Sequence, residues 1–309
     1  MTTNRLAAID IGTNTIKLLV AATKDGALAA LHEDSQTTRL GENVSATKRL
    51  APEAIERTAA GIAAFAARAR EMGAVKILAV STSGAREADN TGQFLARVRE
   101  AAGLEVEIIS GEREAELIFA GVSTDASIRG QRLLVMDVGG GSGELIIGQN
   151  GKAEDRVCLP VGAVRLTERF VRGDPISNDE LESLRAHARE CLQPALARFP
   201  LDGRIMIGTG GTVTTAAAID QSLARFSIEK INRYSLTRQR LAGMLDRLRR
   251  LPLAERRNVP GLPPKRADII VAGLAVYVVA MEMAGIERLT VSTRGLRFGL
   301  LAEKCGLLP

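Results

Sequence analysis

Asp137 is followed by a glycine triplet, a serine and, two residues further on, a glutamate, in the stretch LLVMDVGGGSGELIIG from Leu133 to Gly148. Two apolar, strand-like runs meet across this loop. Glycine has no Cβ and accepts positive φ, so the backbone N–H groups around Gly139, Gly140, Gly141 and Ser142 can turn toward an anion and approach it closely. Asp137 can then hold a divalent cation against that anion. A flexible linker is the alternative, but linkers are not bounded on both sides by runs such as LLVM and ELIIG.

A second copy of this layout lies near the N-terminus. In LAAIDIGTNTIKLLVAA, Leu6 to Ala22, Asp10 matches Asp137, Gly12 matches Gly139, Thr15 matches Ser142 and Lys17 matches Glu144. The loop Gly12-Thr13-Asn14 with Lys17 is therefore a second candidate phosphate cradle. KILAVSTSG (Lys76 to Gly84) and RIMIGTGGT (Arg204 to Thr212) follow their respective loops at nearly the same offset, each a strand entering a small-residue, hydroxyl-rich turn. They add Ser81, Thr82 and Arg86 on one side and Gly210, Gly211 and Thr212 on the other. Internal similarity of this kind predicts two α/β domains of one architecture, residues 1–126 and 127–309, facing a shared cleft, with the last helix able to pack back on the first domain. Ligands bind at the carboxyl ends of strands in such sheets, and a guanidinium there suits bidentate phosphate contact. Capping of the following helix is the competing role for Arg86 and the hydroxyls.

SGEREAELIFAGV, from Ser110 to Val122, reads as a helix capped by Ser110 or Gly111, with acidic residues in its first turn where the helix dipole favours them. At ~100° per residue Glu114 shares a face with Leu117, Ile118 and Gly121, while Glu112 and Glu116 lie opposite. A carboxylate on the apolar face has an environment that burial and a nearby cation can tune, as a general base requires.

The elements that must position these groups are legible. Three strands open the chain from residue 5 to 40, with Lys24-Asp25-Gly26 as the first hairpin turn, and Asn150-Gly151 repeats that signal in the second half. Helices are predicted at Pro52 to Met72, near Gln93 to Ala102, at Gly162 to Phe170 and at Asn178 to Phe199, with further strands at Val75 to Val80, Val106 to Ile109, Arg204 to Ile207 and Arg288 to Val291. Residues 236 to 266 are basic and punctuated by prolines, and their charges read as a mostly solvated face, with lining of the groove as the alternative for some of them. Ile269 to Met281 is apolar but shorter than the ~20 residues that span a bilayer, and reads as a buried helix. His32 and His187 stand in no motif.

The 309 residues, 46% of them hydrophobic, are enough for two cores. A net charge of +5 favours an acidic partner, and aromatics at 3% with no tryptophan argue against base stacking as the main binding mode. Cys158, Cys191 and Cys305 have no ligand spacing, so neither a zinc site nor a disulfide framework is indicated. No signal peptide is visible in MTTNRLAAIDIG. The expectation is a cytoplasmic protein acting on phosphate-rich small molecules, with no membrane and no specific nucleic-acid partner.

DIGTNTIKLLV, STSGAR, ISGEREAELIFAGV, MDVGGGSGELIIG, GTGGT and STRGLRFG, in that order, resemble the exopolyphosphatase and guanosine pentaphosphate phosphohydrolase (Ppx/GppA) family over essentially the whole chain. The resemblance implies two ribonuclease-H-like domains of the actin, sugar kinase and heat-shock chaperone superfamily around an interdomain cleft. It implies hydrolysis of terminal phosphoanhydride bonds of inorganic polyphosphate, or of guanosine penta- or tetraphosphate, dependent on Mg²⁺, with Mn²⁺ or a monovalent cation such as K⁺ as further candidates. By motif, Glu114 corresponds to the family's catalytic glutamate, Glu144 to its second essential glutamate, and Asp10 and Asp137, with Glu144, to its metal-associated carboxylates. A homodimer is a candidate assembly. Arg113 and Gly143 stand where the family more often has a glutamate and a hydroxyl, and the C-terminal helical domain of longer members is missing. Two other functions fit the same loops: a small-molecule kinase of the superfamily, and a non-catalytic phosphate or nucleotide sensor.

Overall fold

The computed structural model describes residues 4–308. They form two compact units: one contains the chain up to Arg129 with Asn150–Lys152 and the segment from Arg294, and the other contains Gly130–Gln149 and Ala153–Thr293.

In the first unit β1 (Arg5–Ile11), β2 (Thr15–Lys24) and β3 (Ala27–Thr37) form a meander. The turn between β2 and β3 is two residues long, and Asp25 and Gly26 both have positive φ, 52° and 72°. That is the turn whose twist matches the flanking strands. After the short α1 (Val44–Thr47) come α2 (Pro52–Glu71), β4 (Ala74–Ser81), α3 (Ser83–Arg86), α4 (Thr91–Ala102), β5 (Val106–Ile108) and α5 (Gly111–Ser123). The sheet order is β3-β2-β1-β4-β5, antiparallel in the meander and parallel from β1 to β5. Its core is built from the inward faces of β1 and β2, with Ile55, Ile62 and Phe65 of α2 and Phe94 and Val98 of α4.

The second unit repeats the scheme. β6 (Arg132–Val138), β7 (Gly143–Gln149) and β8 (Lys152–Leu159) form the meander, and Asn150 and Gly151 supply the same positive-φ turn. Then follow α6 (Ala163–Phe170), α7 (Asn178–Arg198), β9 (Ile205–Thr209), α8 (Gly210–Asp220), α9 (Ile228–Ile231), β10 (Ser235–Thr237), α10 (Arg238–Arg250), α11 (Leu253–Arg256), α12 (Ile270–Met283) and β11 (Arg288–Val291). The order is β10-β11-β9-β6-β7-β8, so from the meander inward each sheet reads third, second and first strand and then two parallel strands. This is the ribonuclease-H-like α/β arrangement, present twice, with β10 an extra antiparallel edge in the second copy. α12 is buried on every side from Ile270 to Met281, as its uninterrupted apolar sequence requires. Among the described residues no helix is long and apolar enough to cross a membrane.

Most charges of residues 236 to 266 are exposed or half-exposed, as a mostly solvated face requires, and Arg256 is the buried exception. Arg256 is 2% exposed, and its guanidinium donates to the carbonyls of Leu248, Leu251 and Ala267. It satisfies carbonyls that the end of α10 and the proline-broken loop leave without partners. A sequence reading registers its charge but not this hydrogen-bond demand.

The chain ends in α13 (Leu296–Lys304), which packs on α5 within the first unit. A Cβ on Gly121 would lie 1.9 Å from the carbonyl oxygen of Gly295, and one on Gly299 would lie 1.9 Å from that of Leu117. Only glycine allows these backbones to touch. Arg113 of α5 secures the contact from the other end with a 2.7 Å bond to Glu303. Gly121→Ala or Gly299→Ala is therefore expected to lower stability by roughly 1–3 kcal/mol or more, as overpacking does. Gly243→Ala, in α10 with nothing within 4 Å of the added carbon, should raise it by about 0.5–1 kcal/mol. Denaturant titration of the three variants checks both signs.

Candidate active site

In the first unit Asp10 and Lys17 stand opposite each other across β1 and β2. Between them the chain turns through Gly12, Thr13 and Asn14, and the Gly12 amide donates to the Thr15 carbonyl at 3.1 Å. The loop's own carbonyls are claimed from behind. Gly41 N donates to Thr13 O at 2.9 Å, and Thr38 N and Arg39 N both donate to Asn14 O. Among the described residues the amides of Thr13 and Asn14 have no partner. With carbonyls directed one way, these amides are what the loop can offer an anion.

The turn at the end of β4 packs on this loop, because Gly84 has no side chain to hold it off Thr13; a Cβ there would sit 3.2 Å from the Thr13 Cα. Ser81 is fully buried and its hydroxyl donates to Ile11 O at 3.0 Å, while the Thr82 amide donates to the same carbonyl. The Ser81 hydrogen is thus committed to joining β4 to β1. Arg86 donates to the Ile109 carbonyl at 2.8 Å and lies 3.2 Å from Glu114 Oε2. Ser110 caps α5 by accepting from Arg113 N, which settles the choice between Ser110 and Gly111. Of the three glutamates in that helix Glu114 is the buried one, 7% exposed, whereas Glu112 is exposed and Glu116 half-exposed.

The second unit places its residues in the same way. Asp137 faces Glu144 across β6 and β7, and Gly139 N donates to Ser142 O at 3.0 Å. The carbonyls of Gly139 and Gly140 accept the amides of Ala163 and Val164, both at 2.8 Å, and that of Gly141 accepts Arg165 Nε at 2.7 Å. The first turn of α6 thereby fastens the glycine loop by its oxygens. A Cβ on Gly162 would lie 2.3 Å from Gly140 O, so this fastening needs glycine there too. Among the described residues the amides of Gly140, Gly141 and Ser142 have no partner. Gly143, in place of the more usual hydroxyl, lies under Val161, whose Cγ2 would be 2.8 Å from an added Cβ.

Gly210, with φ +82°, lets β9 turn abruptly into α8 and brings its Cα against Asp137; a Cβ would be 1.9 Å from Asp137 Oδ1. Thr212 points inward, donating to Val138 O at 2.8 Å, and Gly211 is covered by the Arg266 guanidinium. What this turn presents to a ligand is backbone and not the Thr212 hydroxyl.

Four positions escaped the sequence reading. Arg266 lies by Gly211 and interacts with Asp137 and Asp268, and burial holds its basicity below the ordinary arginine value. Cys158 donates its S–H to Glu144 Oε1 at 3.2 Å. Arg297 of α13 pairs with Glu33 at 2.8 Å and acts electrostatically on Asp10. Tyr277 bonds the carbonyls of Met136 and Thr209. Only Tyr277 carried a signal, as the one hydrogen-bonding side chain inside an apolar run, since a buried tyrosine hydroxyl normally finds a partner.

Asp137 and Glu144 offer hard oxygen donors of the kind Mg²⁺ takes, normally one or two carboxylates with water and phosphate completing the shell. Among the described residues no three His, Cys, Asp or Glu side chains are grouped to hold an ion, so a divalent ion at this pair would need ligands beyond such side chains. Asp10 differs, because Lys17 and Arg297 lie near it and offset part of the cost of burying its charge.

Two ribonuclease-H-like sheets, each with an aspartate near the end of its first strand and a loop of unpartnered amides after it, make this a two-sheet protein of the α/β class. The chain belongs to the Ppx/GppA phosphatase family, whose model matches residues 19–307. It is 34% identical to exopolyphosphatase 2 of Mycobacterium tuberculosis over 99% of this chain and 100% of that protein. It is 31% identical to the guanosine-5'-triphosphate,3'-diphosphate pyrophosphatase of Vibrio cholerae over 96% of this chain but 58% of that protein. Among solved structures, an exopolyphosphatase from Cytophaga hutchinsonii superposes with a TM-score of 0.91 at 28% identity, covering 99% of each chain. The Aquifex aeolicus family member superposes at 0.82 and 31%, covering 98% of this chain and 97% of that one.

The environment of Asp10 has a consequence for pH. Burial raises its pKa above the ordinary carboxylate value, and Lys17 and Arg297 offset only part of that. With the folded pKa above the unfolded one, the native state binds more protons in the window between them, so stability falls as pH rises through that window and stays lower above it. Asp10→Asn should therefore melt at a higher temperature than the parent at pH 7, and the difference should disappear at pH values below the unfolded aspartate pKa. Thermal melts across pH 3 to 8 test this.

Proposed function

We propose that this chain is an exopolyphosphatase, which hydrolyses the terminal phosphoanhydride bond of inorganic polyphosphate and releases orthophosphate. The observation that carries the reading is the Glu114 carboxylate, buried on α5 and held 3.2 Å from Arg86, which follows the β4 turn packed on the loop with unpartnered amides. A carboxylate fixed in this way can accept the proton of an attacking water, and guanidinium and amide donors suit the oxygens of the phosphoryl group under attack. Phosphoryl transfer needs little more than such positioning and charge stabilisation. Arg86 is assigned a double role, orienting Glu114 and contacting phosphate, and the amides of Thr13, Asn14, Gly140, Gly141 and Ser142 are assigned to the chain of phosphates. Asp137 and Glu144 would hold Mg²⁺, which when bound supplies positive charge to phosphoryl and leaving oxygens. Asp10 is assigned to fixing Lys17.

The full-length similarity to a protein named exopolyphosphatase 2 supports polyphosphate as substrate. Hydrolysis of guanosine pentaphosphate at its 5' end is the second reading, favoured by the Vibrio relative and by the identity of the bond broken.

Orthophosphate release is to be measured on polyphosphate and on guanosine pentaphosphate, each with Mg²⁺ and with chelator. Release from polyphosphate that vanishes in chelator is the expected result. Preference for the nucleotide selects the second reading, and tight binding with no release on either substrate rejects hydrolysis. Glu114→Gln keeps shape and removes the proton acceptor, so kcat should fall roughly 10²- to 10⁴-fold with KM unchanged or lower. Glu112→Gln and Glu116→Gln should stay within a few-fold of the parent. Near-normal turnover by Glu114→Gln removes the assigned base.

A further inference from the structure

α12 is apolar on every side, yet at its centre it carries one of only two tyrosines in the chain, with 0% exposure. The ring reaches the sheet over Gly208, where a Cβ would lie 3.3 Å from Tyr277 Cε1, so a side chain at that strand position would push the ring away. Its hydroxyl is 2.9 Å from the Met136 carbonyl and 2.9 Å from the Thr209 carbonyl. These two carbonyls have particular places in the fold. Met136 immediately precedes Asp137, and Thr209 immediately precedes Gly210 and N-caps α8. In the parallel pairing of β6 with β9, Met136 lies beside Gly208 and Asp137 beside Thr209, so the hydroxyl joins the two strands at Met136, two residues before β6 ends, and at Thr209, the last residue of β9.

We propose that Tyr277 is a positioning residue that sets the Asp137 carboxylate and the Gly210–Thr212 turn at their working separation. The proposal rests on the phosphoanhydride hydrolase reading above for what that separation is used for. A phenol has one proton, which it gives to either carbonyl or shares between the two, so the hydroxyl bridges the strands only while both carbonyls stay within reach of the same oxygen. The Asp137 carboxylate lies where a Cβ of Gly210 would be, which leaves no slack between the loops. A shift of one strand end relative to the other changes the Asp137 contact directly, and Glu144, opposite Asp137 across β6 and β7, moves with it. Burial and the nearby charges of Asp137 and Glu144 keep the phenol well above its ordinary pKa, so it remains a neutral donor. Catalytic groups tolerate displacements of only about 0.5 Å, so a tie of this kind matters to rate more than to fold.

The test compares Tyr277→Phe with Tyr234→Phe. Tyr234 is the chain's other tyrosine and also loses a hydroxyl bond, at 2.6 Å to Asp220 at the far end of α8. Three quantities are read on the intact protein: melting temperature, backbone amide exchange of residues 137–143 and 209–213 with no ligand present, and the dependence of orthophosphate release on Mg²⁺. Both variants should fold and melt a few degrees low. Tyr277→Phe alone should exchange the two loops at least several-fold faster, lower kcat about tenfold or more, and raise the Mg²⁺ concentration needed for half-maximal rate, with KM for polyphosphate little changed. Unaltered loop exchange in Tyr277→Phe overturns the proposal, and so does an equal loss of kcat in Tyr234→Phe. If the parent protein releases no orthophosphate, the hydrolase reading fails by itself, and the exchange comparison still decides whether Tyr277 fixes the loops.

Discussion

Backbone carbonyls in both glycine-bearing loops have to be satisfied somewhere, and where they go decides what the loops can do. A buried loop that leaves its oxygens unpaired loses about 1–3 kcal/mol for each group. Here the oxygens of Thr13 and Asn14 are taken by the segment 38–41, and those of Gly139 to Gly141 by the first turn of α6 and by Arg165. Because a peptide's N–H and C=O point in opposite directions, fixing the carbonyls outward also fixes the amides. The outward set of amides, which the proposed function assigns to phosphate, is therefore a consequence of how the back of each loop is closed. This explains why Gly162, which has no motif of its own, has to be glycine: its Cβ would occupy the place of the Gly140 carbonyl.

The two copies share a backbone and differ in charge. In both, an aspartate at the end of the first strand faces the residue seven positions on, across an antiparallel pair. In the first copy that residue is Lys17, and together with Arg297 it offsets part of the cost of burying the charge of Asp10. In the second copy it is Glu144, which adds a second negative charge and has Cys158 as a hydrogen-bond donor. Two carboxylates side by side in a buried place are costly unless a cation joins them. Arg266 supplies part of that charge to Asp137. The same duplicated hairpin thus yields one pair of opposite charges, which offset part of the cost of burial, and one pair of like charges, the pair proposed to hold a divalent ion.

Much of this was legible in the residues. The repeat, its register from Asp10 to Lys17 and from Asp137 to Glu144, both positive-φ hairpins and the inward face of Glu114 all follow from local rules, namely strand alternation, turn chemistry and helical periodicity. What was not legible depends on contacts distant in sequence. Ser81 and Thr212 read as ligand hydroxyls because a hydroxyl beside a glycine turn suits phosphate, yet both donate to carbonyls about 70 residues away, of Ile11 and Val138. Neither Arg256 nor Arg266 stood out from the other charges of residues 236 to 266, because composition does not distinguish a guanidinium that closes helix carbonyls or covers a glycine turn from one in water. Arg113 and Gly143 were departures from a pattern, and the structure gives each a local reason in Glu303 and Val161.

The last helix makes clear why such contacts escape a local reading. α13 begins after the chain has left the second unit, and it packs on α5, the helix that carries Glu114. Gly121 and Gly299 bring the two backbones together, Arg294 donates to the Thr124 carbonyl at 2.7 Å beyond the end of α5, and Arg113 joins Glu303. Arg297, the second residue of the same helix, donates to the Leu18 carbonyl on β2 and pairs with Glu33 on β3. One short helix therefore braces the element bearing the proposed base and also compensates Asp10, at the start of the phosphate loop. Its nine residues would be marginal alone, since isolated helices of that length are not stable in water. Their order comes from the surfaces they join, so the geometry of the first unit is complete only when the final segment of the chain has docked.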